Sequence, residues 1–153
     1  MERKHEKYER LIERCKELAP ATTAVAHPCD ESSLRGAVEA AELGILQPIL
    51  VGPRAKIEAV AAQAKLDISG YELVDAPHSV AAAEAAVQLV REGRAELLMK
   101  GSLHTDELMG AVVKSATGLR TSRRISHCFI MDVPRLDRAI FVTDAAINIF
   151  PTM

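Results

Sequence analysis

The chain has 153 residues, 48% of them hydrophobic and 26% charged, which favours a folded globular domain and excludes a largely disordered chain. A formal net charge of −2 offers no global attraction for nucleic acid or an anionic membrane, so we expect neither as a partner. The charged amino terminus is unlike a signal peptide, and no apolar run approaches the roughly 20 residues that span a bilayer. These features favour a cytoplasmic protein.

The first two thirds of the chain alternates helical and extended patterns. Asp30 has the residue type of a helix N-cap, while Gly44 and Gly93 follow the ends of two apolar-periodic segments. The predicted helices cover residues 2–18, 30–43, 54–65, 79–92 and 106–114, and the predicted strands cover residues 22–26, 48–51, 71–74 and 96–99. This alternation predicts an α/β fold of three layers, α/β/α, with a mainly parallel, doubly wound sheet.

The pattern changes after Gly118. Two apolar runs at residues 126–133 and 139–143 are separated by a polar, Pro-containing segment and predict an antiparallel hairpin. No helical segment follows to cover it. We therefore expect a first α/β domain at residues 1–118, and a connection and hairpin at residues 119–153 that begin a truncated second domain. An uncovered apolar hairpin should promote self-association.

The strongest site candidate follows the fourth predicted strand, where Lys100-Gly101-Ser102 leads into a helix. Gly101 permits close backbone approach, Lys100 brings a positive charge, and the helix N-terminus presents N–H groups, so this turn could bind phosphate or an acyl phosphate. A purely structural alternative is that Gly101 serves the turn and Thr105 caps the helix. Both interpretations remain open from the residues alone.

A second candidate is the only concentrated basic patch, formed by Arg120, Arg123 and Arg124. Arginine makes paired hydrogen bonds to phosphate oxygens, so the patch could hold the phosphates of a bulky anion such as coenzyme A. A solvated connection between domains is an equally good interpretation. The motifs G-x-G-x-x-G, G-x-x-x-x-G-K-[ST] and G-x-S-x-G do not occur, which disfavours a dinucleotide site, a P-loop and an acyl-serine hydrolase.

Cysteine and histidine spacing points to neither a metal site nor a disulfide framework. The residues concerned are Cys15, Cys29, Cys128, His27, His78 and His104. The three cysteines are odd in number and far apart, so we expect reduced thiols that pack as small hydrophobic side chains. The three histidines have no i, i+4 partner and no carboxylate at a ligand spacing, so we expect no metal.

Several segments together resemble the phosphate acetyltransferase and phosphate butyryltransferase family. They are Lys100-Gly101-Ser102, Gly118-Leu119-Arg120-Thr121, Ser126-His127 and Thr143-Asp144-Ala145-Ala146-Ile147-Asn148. The resemblance implies two α/β domains similar to those of isocitrate and isopropylmalate dehydrogenases, an active site in the cleft between them, and a homodimer. The acetyl-specific branch carries an Arg in the helix after the turn, where this chain has Met109 or Gly110, so the resemblance does not favour acetate over butyrate.

The resemblance also implies an activity: transfer of a short acyl group, such as acetyl or butyryl, between coenzyme A and inorganic phosphate. Coenzyme A and the acyl phosphate would be substrates, with no tightly bound cofactor. The residues expected to bind substrate or phosphate are Lys100, Gly101, Ser102, Thr105, Ser126 and Asn148. The family's catalytic residues lie in the carboxy-terminal half, so the catalytic base stays unassigned and we expect the chain alone to be inactive. Two alternatives are a non-catalytic interaction module and a dehydrogenase-like half domain.

Overall fold

The computed structural model describes residues 6–145 and residue 147. Helices and strands alternate from the first described residue to the end of α5, and a hairpin follows. In chain order the elements are α1 (Glu6–Lys16), β1 (Ala21–Ala26), α2 (Glu31–Glu42), β2 (Leu46–Gly52), α3 (Arg54–Ala64), β3 (Glu72–Asp75), α4 (Ser79–Arg91), β4 (Leu97–Lys100), α5 (Thr105–Val113), β5 (Cys128–Met131) and β6 (Ile140–Thr143). The start predicted for the first helix, at residue 2, lies outside the described residues.

Four parallel strands form the main sheet in the order β3-β2-β1-β4. The chain builds outward from β1 through β2 to β3 and then returns to place β4 on the other side of β1. The predicted α/β fold with a mainly parallel sheet is confirmed. Helices connect consecutive strands, as parallel pairing requires.

The core lies on both faces of this sheet because β1 and β2 are buried on both sides. Ala24 and Ala26 face a cluster that includes buried residues of α4 and α5. Val25, between them, faces the other side, where α2 and α3 pack. Successive strand residues point to opposite faces, so this alternation produces three layers.

Local end signals place several helix boundaries correctly. The Asp30 carboxylate accepts a hydrogen bond from the Ser33 amide at 2.8 Å and caps α2. Gly44 and Gly93, both at φ 72°, follow α2 and α4 in the left-handed conformation that glycine adopts without steric cost. The prediction that Thr105 caps α5 is wrong: Thr105 is the first helical residue, and His104 occupies the N-cap position.

The described residues fall into two compact units. Residues 18–120 form one, and residues 6–17 with residues 121–145 and 147 form the other. The first helix thus belongs with the hairpin, although the sequence had suggested the first α/β domain. An ion pair between the Lys7 Nζ and Asp132 Oδ1 atoms, 2.7 Å apart, joins α1 to the residue after β5. The division at residues 118 and 119 stays a prediction.

The hairpin is antiparallel, as predicted, with Cys128 opposite Thr143 and Met131 opposite Ile140. Its apolar side chains are exposed within this structure. Exposed fractions between 36% and 66% apply to Phe129, Ile130, Met131, Ile140, Phe141 and Val142. Helix α1 lies in the same unit but has no buried residue itself, so it leaves much of this apolar surface uncovered.

Candidate functional site

The carboxyl ends of β1 and β4 meet at the point where the strand order reverses. β1 lies between β2 and β4, and the chain reaches β4 only after building β2 and β3 on the other side. In open α/β sheets, ligands bind at such switch points, outside the carboxyl ends of the strands. The segment Lys100-Gly101-Ser102 lies there, directly opposite the end of β1.

Backbone pairing continues past the last residue of β4. Lys100 is paired with Ala26 in the parallel register. Beyond it, the Gly101 amide donates to the Ala26 carbonyl at 2.9 Å, and the Ser102 amide donates to the His27 carbonyl at 2.8 Å. The two loops are therefore held together by the same ladder that joins the strands.

Gly101 allows this close approach because it has no side chain. A Cβ atom at this position would lie 2.4 Å from the Ala26 carbonyl oxygen and 2.6 Å from the His27 carbonyl oxygen. The space is filled by the backbone at the end of β1, which supports the structural interpretation of Gly101. This backbone contact by itself accounts for a glycine at position 101, without a bound ligand.

Ser102 uses its hydroxyl group inside the protein. The Oγ atom donates to the His27 carbonyl at 2.9 Å and accepts from the Cys29 amide at 3.1 Å. The Ser102 carbonyl lies 3.2 Å from His27 Nδ1. Ser102 is therefore anchored through its amide, hydroxyl and carbonyl groups, and all of these bonds lead to the loop after β1.

Lys100 differs from its two neighbours because its side chain is exposed. The Nζ atom lies 3.4 Å from the Gly101 carbonyl oxygen, a long hydrogen bond that costs little to exchange for another acceptor. Among the three residues of the predicted phosphate turn, Lys100 is the one whose polar group remains available to an anion.

Two carboxylates near this edge have lowered pKa values. Hydrogen bonds from the Ser33 hydroxyl and amide lower the pKa of Asp30, and the positive charge of Lys100 lowers it further. Hydrogen bonds from the Ser79 hydroxyl, at 2.6 Å, and from the His104 amide lower the pKa of Glu107. Both carboxylates stay ionised near neutral pH, so an incoming anion meets negative charges as well as Lys100.

Glu107 also reduces the number of free N–H groups at the start of α5. Its carboxylate accepts the His104 amide at 2.8 Å, so one of the N–H groups expected for phosphate is already paired. Thr105, the predicted substrate contact, is exposed in the first turn of α5. The helix dipole still favours an anion there, but Glu107 already provides one.

Sequence reasoning missed the residue that organises this edge. The sequence offers His27 only as a candidate metal ligand, yet its ring and carbonyl contact Ser102, and the nearby Cys29 joins the same network. The available signal was its position directly after a predicted strand. Cys29 is buried as expected, and burial raises its thiol pKa, whereas Cys128 is exposed on the hairpin, so the expectation of a packed thiol is wrong there.

The other predicted site residues lie elsewhere. Arg120 is exposed and belongs to the Leu18–Arg120 unit. Arg123, Arg124 and Ser126 are exposed in the unit that contains the hairpin. The prediction for Asn148 falls outside the described residues.

The described residues offer neither a cluster of metal-binding side chains nor a membrane-spanning helix. Residues 6–145 and 147 contain no group of three or more His, Cys, Asp or Glu side chains arranged to hold a metal ion. Within the same ranges, every helix is too short or too polar to cross a membrane.

Comparison with known proteins gives consistent matches. Residues 78–153 match a family described as "Phosphate acetyl/butaryl transferase". A phosphate acetyltransferase from Rhizobium meliloti is 65% identical over 147 residues, covering 96% of this chain and 46% of that protein. A phosphate butyryltransferase from Clostridium beijerinckii is 40% identical over 144 residues, covering 94% of this chain and 48% of that protein.

Solved structures agree on the fold. A phosphotransacetylase from Streptococcus pyogenes matches with a TM-score of 0.77 at 16% identity, covering 94% of this chain and 53% of that one. A branched-chain phosphotransacylase from Enterococcus faecalis matches with a TM-score of 0.67 at 25% identity, covering 86% of this chain and 45% of that one. The chain spans about half the length of the relatives it matches.

Proposed function

Because the chain belongs to the phosphate acetyl/butyryl transferase family, we propose that it contributes to transfer of a short acyl group between coenzyme A and inorganic phosphate. The observation that carries this proposal is 65% identity to a phosphate acetyltransferase across 96% of the chain. Relatives named phosphate acetyltransferase range from 27% to 65% identity, with four of them at 48% or more, and those named phosphate butyryltransferase range from 34% to 40%. Acetyl phosphate is therefore the first substrate to test.

The reaction in the direction of acyl-CoA formation needs three things. A base removes the proton of the coenzyme A thiol, the thiolate attacks the carbonyl carbon of the acyl phosphate, and inorganic phosphate leaves as the carbon–oxygen bond breaks. Positive or N–H groups stabilise the oxyanion and the departing phosphate. We assign no residue of this chain as the base.

Lys100 is the residue we assign to the phosphate. Its exposed ammonium group stands at the switch point of the sheet, and the hydrogen bond that it donates to the Gly101 carbonyl is long. Gly101 and Ser102 support it as scaffold, since their polar groups are bonded to the end of β1. Ordering a flexible lysine on a phosphate exchanges one weak contact for a charge-assisted one.

The remaining substrate contacts are proposed from the sequence. Thr105, Ser126 and Asn148 would contact substrate, and the exposed Arg120, Arg123 and Arg124 would contact coenzyme A phosphates. Coenzyme A acts as a substrate and no tightly bound cofactor is required. Because coenzyme A and acyl phosphates are metabolites of the cell interior, we also propose a cytoplasmic location.

Activity can be tested in a chimera. This chain replaces the matched segment of the Rhizobium meliloti phosphate acetyltransferase, to which it is 65% identical. We expect acetyl-CoA formation from acetyl phosphate and coenzyme A, followed by thioester absorbance, within about tenfold of the parent enzyme. A folded chimera without turnover would contradict the proposed function. The chain alone should show no steady turnover, and activity in it would contradict the assignment of the base elsewhere.

The role of Lys100 can be tested in the same chimera. Lys100→Ala should raise the KM for acetyl phosphate or lower kcat by at least about tenfold, the scale of one lost charged contact. Lys16→Ala, which removes an exposed lysine at the end of α1, serves as the matched control and should change neither constant. Equal kinetics for the two variants would leave Lys100 without a role in binding.

We further propose that the hairpin mediates homodimerisation or looser self-association. The support is the exposure of its apolar side chains, with Phe141 at 66%. Burying such side chains contributes roughly 1.5–3 kcal/mol each, which is enough to drive pairing at micromolar concentration when several are covered.

A further inference from the structure

His27 is buried at the switch point and bonded to the turn that carries Lys100. We propose that His27 is a positioning residue, whose Nδ1–H group holds the Ser102 carbonyl and thereby fixes the connection between β4 and α5. The consequence for catalysis rests on the proposed function of Lys100. The hydrogen bond itself concerns only this chain and is tested separately.

The geometry specifies the state of the imidazole ring. The Ser102 carbonyl oxygen, 3.2 Å from Nδ1, can only accept a hydrogen bond, so Nδ1 carries the hydrogen. The Ser102 hydroxyl lies 3.4 Å from the same nitrogen, but its own hydrogen points to the His27 carbonyl at 2.9 Å. In the neutral ring, Nε2 is therefore unprotonated, and it has no hydrogen-bond partner among the described residues.

The backbone of His27 is held in an uncommon conformation. Its φ of 54° lies in the left-handed region, which only a few per cent of non-glycine residues occupy, although Asn, Asp and His do so more often than the others. The His27 carbonyl accepts from the Ser102 amide at 2.8 Å, the Ser102 hydroxyl at 2.9 Å and the Cys29 amide at 2.8 Å. Such a conformation persists when its surroundings determine it strongly, as these three donors do.

His27 and Ser102 therefore form a reciprocal pair across the edge of the sheet. The ring of His27 donates to the carbonyl of Ser102, and the amide and hydroxyl of Ser102 donate to the carbonyl of His27. Just before this pair, Gly101 is bonded to Ala26 and Lys100 is in register with Ala26. Both ends of the short segment after β4 are thus anchored to β1.

This anchoring determines where the Lys100 ammonium stands. Its nearest partner is the carbonyl of Gly101, which lies between the two anchored amides. The Ser102 carbonyl belongs to the following Ser102–Leu103 peptide, so releasing it loosens Ser102 and, through Ser102, the adjoining Gly101–Ser102 peptide. The ammonium group then loses its preferred position relative to a phosphate. A displacement of about 1 Å at a reacting group can cost a hundredfold in rate.

The first test uses the unaltered chain. Nitrogen-15 NMR of the imidazole ring distinguishes the two neutral tautomers. We expect the Nδ1–H form for His27, whereas the exposed His104 should show the Nε2–H form or a mixture of the two. An Nε2–H tautomer at His27 would overturn the proposal without any variant being needed.

The second test compares three substitutions. His27→Asn keeps a donor near the Nδ1 position and tolerates the left-handed backbone, His27→Gln removes that donor, and His27→Gly relieves the backbone but removes the side chain. We expect exchange of the Ser102 amide to accelerate at least tenfold in His27→Gly and in His27→Gln, and to stay near wild type in His27→Asn. The Val51 amide, in β2, is the internal control. Unchanged protection of Ser102 in His27→Gly would overturn the proposal.

The third test measures kinetics in the chimera. His27→Gly should raise the KM for acetyl phosphate at least tenfold and leave the KM for coenzyme A unchanged, and His27→Asn should restore both to within about threefold of wild type. Equal changes in both KM values would indicate a general structural role and overturn the positioning role. If the unsubstituted chimera is inactive, the proposed function fails, and the tautomer and exchange measurements alone decide whether His27 fixes the turn.

Discussion

Replacing Gly101 with Ala tests the packing of the two strand ends most directly. The new Cβ atom would lie 2.4 Å from the Ala26 carbonyl oxygen, 2.6 Å from the His27 carbonyl oxygen and 2.7 Å from the His27 carbonyl carbon. Real Cβ atoms essentially never approach another atom within 3.0 Å. All three neighbours are backbone atoms of a buried strand end, so the clash cannot be relieved by rotating a side chain.

The loss of stability in Gly101→Ala can be worked out from the backbone contacts that the new methyl group disturbs. Forcing one methyl group into packed backbone costs about 1–3 kcal/mol. Moving the turn away from β1 also weakens the hydrogen bonds from Gly101 to Ala26 and from Ser102 to His27, each contributing about 1 kcal/mol. We therefore expect Gly101→Ala to lower the free energy of unfolding by about 3–5 kcal/mol, a large part of the 5–15 kcal/mol typical of a domain.

Gly110→Ala is the matched control because Gly110 lies inside α5, and beyond the backbone of its own helix and its chain neighbours no atom lies within 4 Å of the added Cβ. Alanine is the better helix former, so this variant should gain about 0.5–1 kcal/mol. Urea unfolding should show a midpoint lowered by about 2 M for Gly101→Ala, since m is about 1–3 kcal/mol/M, and a slightly raised midpoint for Gly110→Ala. A Gly101→Ala midpoint within about 0.3 M of wild type would refute the reasoning.

Three further predictions concern other parts of the chain. In thiol labelling of the native protein near neutral pH, the exposed Cys128 should react at least about tenfold faster than Cys29, because the Cys29 thiol is buried and has a raised pKa. Equal rates would contradict the burial of Cys29. The lowered pKa of Asp30 contributes stability that is present above its ordinary pKa of 3.8 and is lost as pH falls through the lower folded value. Acid unfolding should therefore show a smaller pH dependence in Asp30→Asn than in wild type. Identical profiles would contradict this. In light scattering at micromolar concentration, Phe141→Asp should shift the chain towards monomer. The control Leu43→Asp, at an exposed position after α2, should not. A monomeric wild-type chain would contradict self-association through the hairpin.

Much of the fold was predictable because its signals are local. Helix α2 was recognised from Asp30 at its start and Gly44 after its end, and both residues play those roles in the structure. The alternation of short apolar strands with helical segments led to a parallel sheet, which the order β3-β2-β1-β4 confirms. A helix cap, a glycine after a helix end and an apolar periodicity each depend on residues within a few positions of one another. They can therefore be recognised in the sequence without the tertiary structure.

The position of α1 was not predictable in the same way. Its apolar stripe indicates that one face of the helix is covered, but it does not identify the element that covers it. The structure groups α1 with the hairpin, and Lys7 pairs with Asp132, a residue far along the chain. Amphipathic patterns specify a buried face without specifying the surface that buries it.

The candidate site shows the same division. Sequence alone identified Lys100-Gly101-Ser102 as a glycine-containing turn after a strand, and left open whether the glycine serves a ligand or the backbone. The tertiary structure favours the backbone, because β1 fills the space beside Gly101, and it adds His27 as the partner of Ser102. Those two residues are 75 positions apart and meet only because β4 pairs with β1, so no local pattern around either of them could show that their ring and carbonyl share a hydrogen bond.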